Sequence, residues 1–276
     1  MSTQEITSGN RLQELSISVG KGQYTLWQIL GIWLAAGAPM WLLGWVAYPA
    51  LSPGLSAIDA GLLRMKLLTV GLIWQFVLAM IILYREEGNV QLDTIRRRFW
   101  LNHPVSARTG ETKQALWWWI IPLILLYAFL EIGLRSALID VWLKMFPFFA
   151  DPGGNNFEEV FAPGIRAQWI GNWGFLGLFL TSAVFNTFLG EEFIFRGVLL
   201  PKMEGVFGKW DWVANGILFC LYHLHQPWGI LATMPGDLLF AYSGKRFRSN
   251  WFPIILHSGQ TVFLLLLILG LVLGLA

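Results

Sequence analysis

The chain has 276 residues, 55% hydrophobic and 13% charged, with a formal net charge of +2. Soluble domains carry about 25% charged residues, so this composition argues against a soluble globular fold, and nothing in the near-neutral balance suggests nucleic acid as a partner. The 16 tryptophans fit a chain that crosses bilayer interfaces. The one cysteine, Cys220, lies in an apolar run and cannot form an internal disulfide.

Residues 1–23 are polar, and the apolar run that follows is too long for a signal-peptide core. It is expected to stay in the membrane as a helix. Apolar segments at 24–50, 65–84, 115–134, 168–190, 212–226, 229–243 and 251–275 are the candidates to span the bilayer. The fifth and sixth are short and interrupted around Gln226 and Pro227. The predicted fold is all-α, a polytopic transmembrane bundle of roughly seven to eight helices. It forms a single integral membrane domain over residues 1–276. The stretch 135–148, with Arg135, Asp140 and Lys144 among apolar residues, reads as an interfacial helix or a partial eighth span. A turn cluster from Asp151 to Asn156 follows. No internal repeat is evident.

Loop charge gives an orientation. Arg85, Arg96, Arg97, Arg98, Arg108 and Lys113 cluster after the second segment and read as cytoplasmic. This basic loop would also touch anionic lipid. Asp140, Asp151, Glu158 and Glu159 follow the third segment and read as external. Arg196, Lys202, Lys209, Lys245, Arg246 and Arg248 then fall inside, which places the N-terminus in the cytoplasm. Arg64 and Lys66 run against this pattern and are expected to snorkel to the interface. The compact length and short loops suggest a bacterial plasma membrane.

Ionisable residues inside membrane helices are costly and are functional candidates by default. They gather in the second half of this chain. In Gly190-Glu-Glu-Phe-Ile-Phe-Arg196, Glu192 and Arg196 are four apart and can form an ion pair on one helical face. Glu191 is rotated away from them, without a local partner, and is available as a base toward water. Phe219 precedes His223 by one turn and can hold its ring. His225 is expected to point elsewhere on the same helix. His257 and Thr261 share a face of the last segment, and Gln260 is adjacent; two such donors would suit a developing oxyanion. Each cluster also has a structural reading: interfacial charges for the glutamates, packing for the histidines, interhelical hydrogen bonds for the last group. Asp237, after Pro235 and Gly236, reads as a helix-capping carboxylate. His103 reads as solvated. Taken together, a carboxylate, an imidazole and paired donors on three helices are the parts of a water-activating hydrolase.

At these residues the sequence resembles the CPBP family of intramembrane proteases, the Abi or CAAX-protease group, which includes bacteriocin-processing and self-immunity proteins. The family pattern is Glu-Glu-x-x-x-Arg, Phe-x-x-x-His and His-x-x-x-Asn or Asp. Here it appears as Glu191, Glu192 and Arg196; then Phe219 and His223; then His257, with Thr261 where the family has Asn. The likeness covers about residues 165–270, a protease-like core. It implies a glutamic-type intramembrane endopeptidase acting on a membrane-anchored protein or peptide. Glu191 would be the general base, His223 would assist the water, and His257 would be an oxyanion donor. Glu192 and Arg196 would orient the site, and no cofactor would be needed.

Three other readings remain open. Glu191, His223 and His257 could ligate zinc, although no His-Glu-x-x-His pair is present. Thr261 favours a non-catalytic adaptor or bacteriocin-immunity protein on the same scaffold. A proton-relaying transporter is the third, weakened by the lack of inverted repeats.

Overall fold

A computed structural model describes residues 22–106, 108–151 and 163–275. The polar residues 1–21, most of the turn cluster, and Glu158 and Glu159 lie outside the described residues.

Among the described residues the chain is helical, apart from loops and an isolated bridge between Val105 and Thr112. Helix α1 (Leu26–Leu51) starts at a capping box in which Thr25 accepts from Gln28 N and Gln28 reaches back. Helix α2 (Ala57–Glu87) is capped by Ser56 and ends at Gly88, whose φ of +74° reverses the chain. A short α3 (Leu92–Arg98) lies in the basic loop. Helix α4 spans Gln114–Met145 and α5 spans Trp173–Lys202. Then come α6 (Asp211–Tyr222), α7 (Ile230–Phe247) and α8 (Trp251–Val272).

Five of these helices, α1, α2, α4, α5 and α8, are long and apolar enough to cross a membrane. The chain is an integral membrane protein. The fifth and sixth segments read from the sequence are helices, but they are not of spanning character. With 12 and 18 residues, α6 and α7 form a hairpin packed within the bundle. Their buried faces carry Asp211, Asn215, Asp237 and Ser243, so protein must shield them from lipid.

Three sequence expectations change. The stretch 135–148 is not a separate interfacial helix, because α4 runs unbroken to Met145 through a π-helical turn at Leu130–Leu134. Glu131 and Arg135 neutralise each other there at 3.0 Å, and Trp142 Nε1 donates to Pro227 O at 2.8 Å. Arg64 does not snorkel. It is buried, donates to His225 O at 3.4 Å, and lies over the rings of Tyr48 and Trp228. Asp237 is not a cap, since α7 begins seven residues earlier at Ile230 and carries Pro235 within it.

The basic loop braces one end of the bundle. Glu86 pairs with Arg98 at 2.8 Å and with Lys202 at 2.7 Å, and accepts a short hydrogen bond from Tyr24. Asn250 N donates to Trp100 O and Val105 N to Phe247 O, each at 2.8 Å. These bonds fix the junction between α7 and α8. His103 is exposed, and its Nδ1 accepts from Trp117 Nε1 at 3.2 Å.

Candidate active site

The site is built around a break in α5. Its first part is α-helical to Val184, then π-helical over Phe185–Leu189 and again over Phe193–Leu199. A π-turn widens the helix by one residue and recurs at functional sites. Gly190 lies between the two and has no room for a side chain. A Cβ there would stand 2.8 Å from Leu72 O on α2, and nearer still to Phe185 O. Leu72 is the middle residue of α2, so Gly190 and the glutamates after it sit at mid-depth in the bundle. A second close approach seats Phe99 of the basic loop on Gly197.

Every residue from Glu191 to Leu200 is buried. Glu192 is fully buried and accepts at Oε1 from Arg196 Nη1 at 3.3 Å, the ion pair expected from the four-residue spacing. The same oxygen lies 3.0 Å from Nδ1 of His257, which reaches in from α8 across 65 residues of chain. The Glu192 main-chain carbonyl accepts from Asn250 Nδ2 at 3.2 Å. Arg196 is satisfied further by the Asp237 carbonyl at 3.2 Å and by the Phe219 ring, whose centroid is 4.0 Å from its guanidinium carbon. A desolvated cation over an aromatic face is favourable by about 2 kcal/mol or more.

Glu191 is 2% exposed. Its Oε2 has no hydrogen bond among the described residues and lies 3.9 Å from His257 Nε2. His257 therefore stands between both glutamates, Nδ1 to one and Nε2 to the other. With Glu192 ionised against Arg196, Nδ1 must carry a proton and donate it.

His223 and His257 both lie against the Phe219 ring. The ring centroids are 4.9 Å and 6.1 Å from that of Phe219. His223 Nδ1 lies 3.0 Å from Phe219 O. A carbonyl only accepts, so Nδ1 is the donor and the neutral ring keeps Nε2 as a lone pair. His225 does not point away as expected. Helix α6 ends at Tyr222, and the 3₁₀ turn after it places the His225 ring 5.7 Å from that of His223.

The structure thus brings together Glu191, Glu192, Arg196, Phe219, His223 and His257. It does not bring Gln260 to them; that side chain is exposed. Thr261 is half-buried one turn beyond His257. Tyr222, Gln75, Asn250 and Asp237 join the site without having been expected there. Gln75 was detectable in principle, as a lone amide in the apolar middle of α2. Among the described residues no three His, Cys, Asp or Glu side chains are grouped as metal ligands, the set considered for zinc included. Cys220 is buried and free, and its thiol donates to Ile230 O at 3.2 Å.

Residues 172–263 match the family model described as Type II CAAX prenyl endopeptidase Rce1-like. This is the CPBP/CAAX protease family that the motifs resemble, and the matched segment contains Glu191, His223 and His257. No curated protein and no solved structure matches the chain.

Proposed function

We infer that the protein is an intramembrane endopeptidase of CAAX-protease type, in which a buried glutamate activates water without a cofactor. The observation that supports this most is the placement of His257. One imidazole from α8 bonds Glu192 at 3.0 Å and faces Glu191 Oε2 at 3.9 Å, so two motifs far apart in sequence meet in one buried site.

In this reading Glu191 Oε2 takes a proton from water as the water oxygen attacks the scissile carbonyl carbon. The carbonyl oxygen becomes an oxyanion and accepts from His257 Nε2–H, a role that needs both ring nitrogens protonated while Nδ1–H stays on Glu192. His223 Nε2, with its lone pair free, orients the water. Collapse of the intermediate breaks the C–N bond, and the leaving amine takes the proton from Glu191. Glu192 and Arg196 hold His257 in place. The substrate is a membrane-anchored protein or peptide, and a prenylated C-terminus is the class that the family description names. It approaches past His223 and His257, which are partly exposed where the glutamates are not. The end of the bundle bearing Arg98, Lys202, Lys245 and Arg248 faces the cytoplasm.

The test is Glu191→Gln, which keeps volume and removes the base. The variant should insert and fold yet cleave nothing. Normal cleavage would refute the mechanism. The near-complete burial of Glu191 and Glu192 favours a second reading, a non-catalytic adaptor or immunity protein. Under that reading Glu191→Gln keeps the biological phenotype.

A further inference from the structure

Among the described residues two that are not glycine have a positive φ, Trp100 at +53° and Arg248 at +45°. Side chains disfavour this left-handed conformation, and where it persists the surrounding contacts impose it, often at functional sites. Trp100 lies in the basic loop, Arg248 caps α7, and hydrogen bonds join the two segments. Asn250 N donates to Trp100 O at 2.8 Å, Asn102 Nδ2 to Arg248 O at 3.0 Å, and Ser249 Oγ to Asn102 O at 2.6 Å. The loop also holds α5, because Arg98 Nη1 donates to Gly197 O at 3.2 Å. Asn250, 1% exposed at the start of α8, is thereby aimed at the site, where its Nδ2 donates to the Glu192 main-chain O at 3.2 Å. A carbonyl only accepts, so this contact settles which way the Asn250 amide points.

His257 follows Asn250 by seven residues, two turns on and on the same face of α8. Its Nδ1 meets Glu192 Oε1 at 3.0 Å. Helix α8 thus grips one residue of α5 at two points, the main-chain carbonyl by Asn250 and the carboxylate by His257. A single contact would let α8 pivot, whereas two fix its rotation. That rotation decides whether His257 Nε2 faces Glu191 Oε2, 3.9 Å away. Glu192 lies between the two π-turns of α5, where the regular backbone ladder is interrupted, so support from another helix matters there. We propose that Asn250 is a positioning residue for the catalytic groups, and that the left-handed junction between the basic loop and α7–α8 sets it. The proposal rests on the hydrolytic reading above. Fixed geometry is a large part of catalytic rate, and this anchor supplies it from α8. It also gives the basic loop a part in the chemistry, because Arg98, Trp100 and Asn102 lie outside the family match at 172–263.

The experiment uses the full chain in detergent micelles, well below its unfolding temperature. The probe is a fluorogenic farnesylated peptide ending in Cys-aliphatic-aliphatic-residue. Asn250→Ala removes the donor to Glu192 O. It should lower kcat about 10- to 100-fold through misplacement of the reacting groups, and leave KM unchanged because Asn250 is buried away from substrate. A second pair of variants acts on the backbone alone. Arg248 is exposed, and Arg248→Gly and Arg248→Val lose the same charge. Glycine adopts a positive φ freely and a β-branched residue does not. Arg248→Gly should therefore keep the wild-type kcat, and Arg248→Val should lower it about 10-fold. Adding Arg248→Val to Asn250→Ala should change little, because the anchor is already cut. NMR of isotope-labelled histidine rings reports on the anchor without turnover. The chain has four histidines. The ring signal lost in His257→Gln should move in Asn250→Ala and in Arg248→Val, and stay in place in Arg248→Gly.

A wild-type kcat in Asn250→Ala, or equal rates in Arg248→Gly and Arg248→Val, would overturn the proposal. So would a His257 signal that ignores Asn250→Ala. Should Asn250→Ala fail to fold, the Arg248 pair and its His257 signals decide. Glu191→Gln separates the two levels. If it still cleaves, the base assignment fails; if it is inactive while Asn250→Ala runs at full rate, only the anchor fails. Should the wild type leave this probe uncut, prenyl-peptide hydrolysis fails and the His257 signal decides the anchor alone.

Discussion

Adding one methyl group at Gly190 measures how closely the site is fitted to α2. The new Cβ would stand 2.8 Å from Leu72 O, where ordinary contact begins at 3.4 Å, so α5 must withdraw by about 0.6 Å. Phe185 O stands nearer still, and both obstacles are main-chain carbonyls that no rotamer change can move. Overpacking of this kind costs about 1–3 kcal/mol. The displacement falls on Glu191, the next residue, and a misplacement of about 1 Å can lower a rate about 100-fold. Gly190→Ala is therefore expected to unfold at lower temperature and to cleave about 10- to 100-fold more slowly. Gly177→Ala is the control in the same helix, because a Cβ there meets nothing within 4 Å. It should keep wild-type activity and equal or higher stability, since Ala is the better helix former. The assays are thermal unfolding of detergent-purified protein and initial cleavage rates. If Gly190→Ala equals wild type in both, the packing that positions Glu191 is wrong.

Glu192→Ala should reduce yield and stability by about 3–5 kcal/mol, because it strands the fully buried Arg196 and takes away the acceptor of His257 Nδ1. Glu192→Gln, which keeps an acceptor oxygen, should fall between it and wild type, and equal stability of all three would rule out the ion pair. Arg64→Met removes the hydrogen bond to His225 O and the cation between Tyr48 and Trp228. About 1–2 kcal/mol of stability should be lost, with a lower kcat because His223 lies on the same turn; thermal unfolding and kinetics read both. Chelator treatment should leave cleavage unchanged, since the proposed mechanism activates water with Glu191 and the two histidines alone. Loss of activity restored by zinc would contradict this.

The long helices were legible because hydrophobic length alone sets them. The boundaries of α1 and α8 lie close to the apolar runs, whereas α2 begins eight residues before its run, at Ala57. The breaks were not legible, because a π-turn has no composition of its own. At Gly190 the signal is only a small residue in an apolar run, and the cause is a carbonyl on another helix. Asp237 misled because Pro-Gly-Asp is start-of-helix chemistry in water. Inside a bundle, neighbouring groups re-satisfy the backbone that proline frees, and α7 runs through it. His225 misled for a related reason: the angular argument assumed that α6 continues, and it stops at Tyr222. Glu191, Glu192, Arg196, His223 and His257 stood out as candidates because charge in a membrane segment is conspicuous. Tyr222 and Gln75 were missed because each is uncharged and gains meaning only from a partner about 147 residues away.

The measurement closest to the central claim is the cleavage rate of Glu191→Gln against wild type, in liposomes, on a membrane-anchored peptide reporter with a prenylated C-terminus. The account predicts a folded, inserted variant with no detectable cleavage beside an active wild type. Cleavage by Glu191→Gln at the wild-type rate would contradict it, and would remove Glu191 from the chemistry.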